Sequence, residues 1–157
     1  MGLFENKIKQ FPKIFDWVER QDVSRLSNFL LDNERCNRLF VASGGSFSAA
    51  VYAEQLSADK GIMSHALTPL LYAGSGFAHV AARTLLISAS GYNNDILRAY
   101  DNGCRAEEQE VGAVVLTSKG RLQTLMQEND ANSLFGFDIP TGRDGFLSST
   151  TVLAFYT

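Results

Sequence analysis

The fold is decided by one stretch, which reads Leu39-Phe40-Val41-Ala42-Ser43-Gly44-Gly45-Ser46-Phe47-Ser48-Ala49-Ala50. Its unbroken apolar start is typical of a strand that is buried on both faces. The two glycines permit a tight turn in which the backbone can approach a ligand closely. Ser46 is predicted to be the N-cap of the helix that follows. The free N–H groups at such a helix start and the positive end of its dipole form an anion site, so phosphate is the first ligand to consider.

The composition indicates one ordinary globular domain and excludes several classes of function. The chain has 157 residues, of which 45% are hydrophobic and 20% charged, and a net charge of −3. The absence of a basic field argues against nucleic acid as a partner. No apolar run reaches the roughly 18 residues of a membrane span, and the polar N-terminus does not resemble a signal peptide. We therefore predict a cytoplasmic protein without membrane contact.

The metal-binding and redox side chains are sparse. Cys36 and Cys104 are isolated from each other and from histidine, so they are predicted to be reduced structural thiols. His65 and His79 have no carboxylate at ligand spacing. The sequence therefore predicts neither a metal site nor a cofactor.

Helical patterns lead the chain. Apolar residues recur at helical spacing from Phe4 to Val18, and Pro12 either kinks this helix or begins a second one. A short amphipathic helix is predicted from Val23 to Leu30, with Asp22 as its cap. We expect residues 1–33 to form a helical lead that packs on the domain formed by residues 34–157.

Strands then alternate with helices. Strands are predicted at 38–42, 63–67, 84–88, 113–116 and 132–139, and helices at 46–58, 95–110, around 122–126 and at 146–156. A loop is predicted from Thr68 to Gly76, followed by a helical turn over 77–82. This alternation predicts a parallel sheet covered on both faces. The last helix is cut in mid-pattern, which predicts a truncated chain or one half of a longer protein.

A second turn has the same chemistry as the first. The apolar strand that ends at Ser88 is followed by Ala89-Ser90-Gly91-Tyr92-Asn93-Asn94. Ligands of parallel α/β sheets bind outside the carboxyl ends of the strands. Neither turn contains Lys or Arg, so N–H and O–H donors alone would hold an anion. Two such turns at one edge favour a phosphate site over a pair of ordinary helix caps.

At these residues the sequence resembles the SIS (sugar isomerase) domain family. Its C/S-G-T-S turn corresponds to Ser43–Ser46, and its S-Q-S-G-E-T-A-D turn corresponds to Ser88–Asp95. Its E-I-G-V-A-S-T motif resembles Asp144–Thr150, and its E-Q-P resembles Gln10-Phe11-Pro12. The resemblance implies a three-layer αβα sandwich with a five-stranded parallel sheet of flavodoxin type.

The resemblance also implies a phosphosugar ligand and a set of contacts. The phosphate would be surrounded by residues of both turns, and the sugar would be touched by two residues near the end of the chain. The phosphate set is Ser43, Gly44, Gly45, Ser46, Ser88, Ala89, Ser90 and Asn93, and the sugar set is Leu147 and Ser149. SIS units pair through helices, so a homodimer or pairing with a second SIS domain is implied.

Four positions depart from the family pattern. Ala89 replaces a glutamine, so only its N–H can serve the phosphate, while Asn93 and Gly45 each replace a threonine. Asp144 replaces a glutamate. These departures predict an altered or weaker ligand preference in a site that is still present.

The sequence leaves enzyme and sensor open. Aldose–ketose isomerisation needs a base, and the best local candidate is Asp144, for which a helix-cap role competes. In the family the base comes from a second SIS domain and a histidine from a neighbouring subunit. We therefore expect this chain to bind a phosphosugar without turning it over alone. A non-catalytic sensor is the alternative, and a serine hydrolase with Ser46 as nucleophile is a remote one. That fold needs an acid and then a histidine after the serine, and the last histidine, His79, has no suitable strand-end carboxylate before it.

Overall fold

The computed structural model describes residues 8–32, 36–74, 76–77, 82–106, 109–129 and 133–140. Within them, the helices are α1 (Phe11–Val18), α2 (Ser24–Leu31), α3 (Ser46–Asp59), α4 (Pro69–Gly74), α5 (Asn94–Cys104) and α6 (Arg121–Glu128). The strands are β1 (Asn37–Ala42), β2 (Ser64–Leu67), β3 (Ala82–Ser88), β4 (Gln109–Val115) and β5 (Leu134–Gly136). Among these residues, no helix has both the length and the apolar character that a bilayer crossing requires.

The five strands form one parallel sheet in the order β2-β1-β3-β4-β5. This is the flavodoxin-type order, so the predicted fold class is confirmed. The chain moves from β1 to one neighbour, β2, and then returns to the other side of β1 for β3. The strand order therefore reverses at β1, and the carboxyl ends of β1 and β3 flank the switch point at which such sheets bind ligands.

Alternating side chains of the central strands build a core on each face of the sheet. In β1, Leu39 and Val41 pack in one cluster with residues of α4, α5 and α6. Phe40 and Ala42 point the other way and pack in a second cluster with residues of α2 and α3. Because successive side chains of a strand face opposite sides, an unbroken apolar strand can serve both clusters. The result is the three-layer αβα sandwich.

Two arginines are buried at the amino edge of this sheet. Arg38 of β1 and Arg83 of β3 are register partners, and they are only 1% and 8% exposed. Arg38 donates to the carbonyl oxygens of Leu30 at 2.8 Å and Asp32 at 2.9 Å, and also to that of Cys36. Burial, and then the positive charge of Arg83, lowers the pKa of Arg38 below its ordinary value.

Arg83 completes the same arrangement. It donates to the carbonyl oxygens of Phe29 at 2.5 Å and Asp32 at 2.7 Å, and its Nε lies 2.7 Å from the carboxylate of Glu110. Its guanidinium also lies 5.0 Å from the centre of the Phe29 ring. The last carbonyls of a helix have no partner within the helix. The two arginines thus cap the C-terminus of α2, where the helix dipole favours cations.

The predicted division of the chain into a helical lead, residues 1–33, and a domain, residues 34–157, stays a prediction.

Several predicted boundaries were wrong. The helix predicted from 95 to 110 ends at Cys104, and Gln109 and Glu110 already belong to β4. These polar residues look helical in isolation. However, Gln109 accepts from Tyr72 and Thr84 at 2.5 and 3.0 Å, and Glu110 pairs with Arg83, so tertiary partners override local pattern.

The loop predicted from Thr68 to Gly76 was also wrong in part, because Pro69–Gly74 is a short helix. Thr68 accepts a hydrogen bond from the N–H of Leu71 at 3.2 Å, and the proline begins the helix. A capping threonine followed by proline is a helix start that the sequence contained. The last strand, predicted over 132–139, is only Leu134–Gly136 in the structure. Pro12 lies in the first turn of α1, so among the described residues it begins a helix and does not kink one.

Candidate functional site

The first loop of the predicted site joins β1 to α3. Gly44 has φ +58°, the left-handed conformation that glycine adopts without strain. Gly45 occupies the N-cap of α3, and no side chain caps this helix. The prediction that Ser46 is the N-cap was therefore wrong by one residue, because Ser46, 9% exposed, is the first helical residue. The N–H of Phe47 already donates to Gly44 O at 3.1 Å, and the other N–H groups of this helix start are left for water or a ligand.

The second loop joins β3 to α5, and its hydroxyl groups are already used as acceptors. Ser88 is buried and its Oγ accepts from the N–H of Gly91 at 3.1 Å, where φ is +67°. Ser90 Oγ accepts from the N–H of Tyr92 at 3.3 Å. A serine hydroxyl has one proton to donate as well as lone pairs. Since the oxygens accept within the turn, each hydroxyl keeps an O–H that can be donated to an anion.

Asn93 joins the two loops. Its Oδ1 accepts from the N–H groups of Asp95 at 2.8 Å and Ile96 at 3.3 Å, which makes it the N-cap of α5. Its Nδ2 donates to Ser43 Oγ at 2.9 Å. Because Oδ1 faces two donors, the orientation of the amide is fixed by its partners. One side chain thus caps a helix and connects the turns that follow β1 and β3.

The positive potential of the first two loops comes from dipoles and not from side-chain cations. The starts of α3 and α5 carry the positive ends of their helix dipoles, and neither loop contains Lys or Arg. Asp95 in the first turn of α5 is an exposed negative charge that opposes a bound anion. Neutral donors can hold an anion because hydrogen bonds to a charged oxygen are stronger than those between neutral groups.

A third loop, Thr117–Gly120, lies beside the second one, which the sequence did not indicate. Leu116 N donates to Ala89 O at 3.1 Å, and Leu122 N donates to Gly91 O at 2.9 Å. Asp138, beyond β5, accepts from the N–H of Ser118. The turn residues were visible in the sequence, but the pairing of β3 with β4 that brings the loops together was not.

Three predicted residues lie outside the described residues. Leu147 and Ser149, expected at the sugar, and Asp144, the candidate base, all fall in the last part of the chain. Their roles stay predictions. The eight predicted phosphate residues, 43–46, 88–90 and 93, all lie on the two loops at the switch point.

The parallel sheet, its strand order and the two small loops at its switch point define the class: the chain has the SIS-domain fold. It is similar to tagatose-6-phosphate ketose/aldose isomerase from Escherichia coli, with 20% identity and a TM-score of 0.74, over 97% of this chain and 45% of that chain. It is also similar to the Vibrio vulnificus NanR protein complexed with ManNAc-6P, with 12% identity and a TM-score of 0.73, over 99% of this chain and 59% of that chain.

A third solved structure is matched over more of its length. The chain covers 86% of an Escherichia coli CFT073 protein, which in turn covers 98% of this chain at 18% identity and a TM-score of 0.69. The chain thus spans less than two thirds of the two proteins named first. No protein-family model and no curated protein sequence matches the chain. At these identities the likeness establishes the fold.

Proposed function

We propose that this chain binds a phosphosugar, with its phosphoryl group held by the loops Ser43–Ser46 and Ser88–Asn93. The fold supports the proposal, because the similar structures include a tagatose-6-phosphate isomerase and a protein complexed with ManNAc-6P. The observation that carries it is the hydrogen bond of 2.9 Å from Asn93 to Ser43, which joins two donor-rich loops at the switch point.

The donor set is suited to a phosphoryl group. Ser43 accepts from Asn93, so its own proton is free to be donated, and Asn93 has a second amide hydrogen. The helix starts of α3 and α5 add N–H groups and their dipoles. Each hydrogen bond to a charged oxygen contributes about 1.5–3 kcal/mol before ordering costs. Several of them would give a Kd roughly in the micromolar to millimolar range.

The proposal is limited to binding. The loops contain no imidazole or carboxylate that could move a proton between two carbons of the sugar. Isomerisation would therefore need groups from elsewhere, and a non-catalytic sensor is the alternative use of the same site. Leu147 and Ser149 are proposed to contact the sugar. Incubation of the purified chain with fructose 6-phosphate tests this limit, because formation of the aldose by the chain alone would contradict it.

A cytoplasmic location is part of the proposal, and so is pairing with a second copy or a second SIS domain. Pairing is supported by apolar side chains on α3 that are about two fifths exposed, namely Val51 at 45%, Leu56 at 45% and Tyr52 at 37%. Large exposed apolar patches mark protein–protein interaction sites. Sedimentation of the purified chain should give the mass of a dimer, and a monomer at high concentration would contradict homodimerisation.

The binding site is tested by Asn93→Asp. The aspartate keeps the oxygen that caps α5, so stability is retained. It loses the amide donor to Ser43 and the phosphate, so we expect Kd for glucosamine 6-phosphate and fructose 6-phosphate to rise at least about tenfold. Isothermal titration calorimetry measures this, with the unphosphorylated sugars as negative controls.

Asn94→Asp is the matched control. It adds the same charge at the first residue of α5, but Asn94 makes no hydrogen bond to the first loop among the described residues. We expect the loss of binding free energy in Asn94→Asp to be less than half of the loss in Asn93→Asp. Equal losses in the two variants would mean that charge alone matters. Unchanged binding in Asn93→Asp would remove Asn93 from the site.

A further inference from the structure

Gln123, the third residue of α6, is buried at the side of the candidate site. Its side chain is 4% exposed, and its Nε2 donates to the carbonyl oxygen of Thr117. A reversed amide would place two acceptors face to face, so the partner fixes the orientation. The side-chain oxygen of Gln123 therefore faces away from Thr117, toward the second loop.

The side-chain oxygen lies between two glycines. A Cβ atom placed on Gly91 would be 2.5 Å from Gln123 Oε1, and a Cβ atom on Gly120 would also overlap it. Gly91 is itself held on both sides, because its N–H donates to Ser88 Oγ and its carbonyl accepts from Leu122. The amide of Gln123 is thus wedged between the second and third loops, and it limits where Gly91 can sit.

This oxygen has no hydrogen-bond partner among the described residues, although it is inaccessible to solvent. Buried polar atoms are nearly always paired, so an unpaired acceptor calls for an explanation. A methionine has a similar length and would fill the same space, but the carbonyl oxygen of Thr117 would lose its donor. An apolar side chain could therefore fill this space at a cost of about one hydrogen bond.

We propose that Gln123 is a positioning residue: its wedged amide holds the Ser88–Asn93 loop in the arrangement that receives the phosphoryl group. Gln123 acts through Gly91 and does not touch the ligand. The identity of the ligand rests on the proposed function above, whereas the placement of the loop can be measured without any ligand.

The test is Gln123→Met, measured by amide hydrogen exchange on the ligand-free protein and by calorimetry with glucosamine 6-phosphate. We expect exchange at Gly91 and Tyr92 to speed up at least tenfold, Kd to rise at least fivefold, and the melting temperature to stay within a few degrees. Gln127→Met, one turn later on the exposed side of α6, should leave all three unchanged.

The outcomes separate the two proposals. If the unchanged protein binds no phosphosugar but Gln123→Met still loosens the loop, the proposed function fails and the positioning role stands. If the unchanged protein binds and Gln123→Met alters neither loop exchange nor Kd, the positioning role is wrong. A uniform rise of exchange across the sheet with a lower melting temperature would show an ordinary structural role and overturn it too.

A second variant covers the case in which Gln123→Met does not fold. Gln123→Glu keeps the shape of the side chain and adds a titratable group beside the second loop. With a positioning role, amide exchange at Gly91 and Tyr92 in the ligand-free protein, relative to the unmutated protein at the same pH, speeds up as the carboxyl ionises, and Gln127→Glu shows no such dependence. Equal pH dependence in the two glutamate variants would overturn the inference.

Discussion

The same two strands carry opposite chemistry at their two ends. At the amino edge of the sheet, the buried Arg38 and Arg83 are the second residues of β1 and β3. Five residues later come Ser43, directly after β1, and Ser88, the last residue of β3. The arginines have protein carbonyls as partners, whereas the serines keep protons to donate.

The difference shows where a protein can use charge for structure and where for binding. A buried guanidinium must be fully hydrogen-bonded, so the two arginines donate to the carbonyl oxygens at the C-terminus of α2. A site for an exchangeable anion needs donors that can bind water when the anion is absent. The empty site must also hold no unpaired buried charge. Neutral hydroxyl and N–H groups meet that need.

The largest effect is expected at the amino edge. Arg38→Met fills the space but leaves the carbonyl oxygens of Leu30 and Cys36 without their donor, so we expect a loss of about 3 kcal/mol in the free energy of unfolding. Urea denaturation at pH 7 measures it, with Arg98→Met on the exposed side of α5 as the control. The affinity for a phosphosugar should not change. A loss below about 1 kcal/mol would mean that these bonds are replaced by water.

A smaller effect with a pH signature is expected at Tyr72. This tyrosine is fully buried, and its hydroxyl donates to Gln109 at 2.5 Å. Burial raises the pKa of Tyr72 above its ordinary value. The folded state therefore favours the protonated phenol, and that stability is complete below about pH 10, the ordinary tyrosine value, and is lost as the pH rises above it.

Tyr72→Phe tests this sign. At pH 7 it should cost about 1 kcal/mol, because one hydrogen bond is lost. The difference in the free energy of unfolding between Tyr72→Phe and the unmutated protein should narrow above about pH 10, since phenylalanine cannot ionise. Denaturation curves at both pH values measure this difference. A gap that stays constant would mean that burial of Tyr72 has no part in alkaline unfolding.

The smallest effect is expected at Lys119 in the third loop. If dipoles hold the phosphoryl group, removal of this exposed cation by Lys119→Ala should change Kd for glucosamine 6-phosphate by less than about twofold at 0.15 M salt. Arg121→Ala, another exposed cation at the start of α6, is the parallel measurement. A tenfold loss in either variant would place a cation in the site and weaken the contrast between the edges.

Local sequence was sufficient for much of the fold. The apolar run at 39–42 predicted a doubly buried strand, and the glycines and serines after it predicted a turn at a helix start. Such features depend on neighbours within a few residues. Errors arose where distant partners decide: Gln109 and Glu110 join β4 because Tyr72, Thr84 and Arg83 hold them.

The candidate site shows the same division. All eight proposed phosphate residues, including Asn93, were predicted from motif and resemblance. The bond from Asn93 to Ser43, 50 positions apart, could not be derived from spacing. Gln123 had no sequence signal, because a polar residue early in a short helix is predicted to be exposed.

The sequence by itself determined that small, uncharged, hydroxyl-rich turns end two apolar strands, since turn and strand preferences are local properties of the chain. Only the tertiary structure decided that these turns meet, that a single asparagine joins them and that a buried glutamine is wedged behind one of them. Strand order and loop contact depend on how both faces of the sheet are covered, and that is settled by packing between residues far apart along the chain.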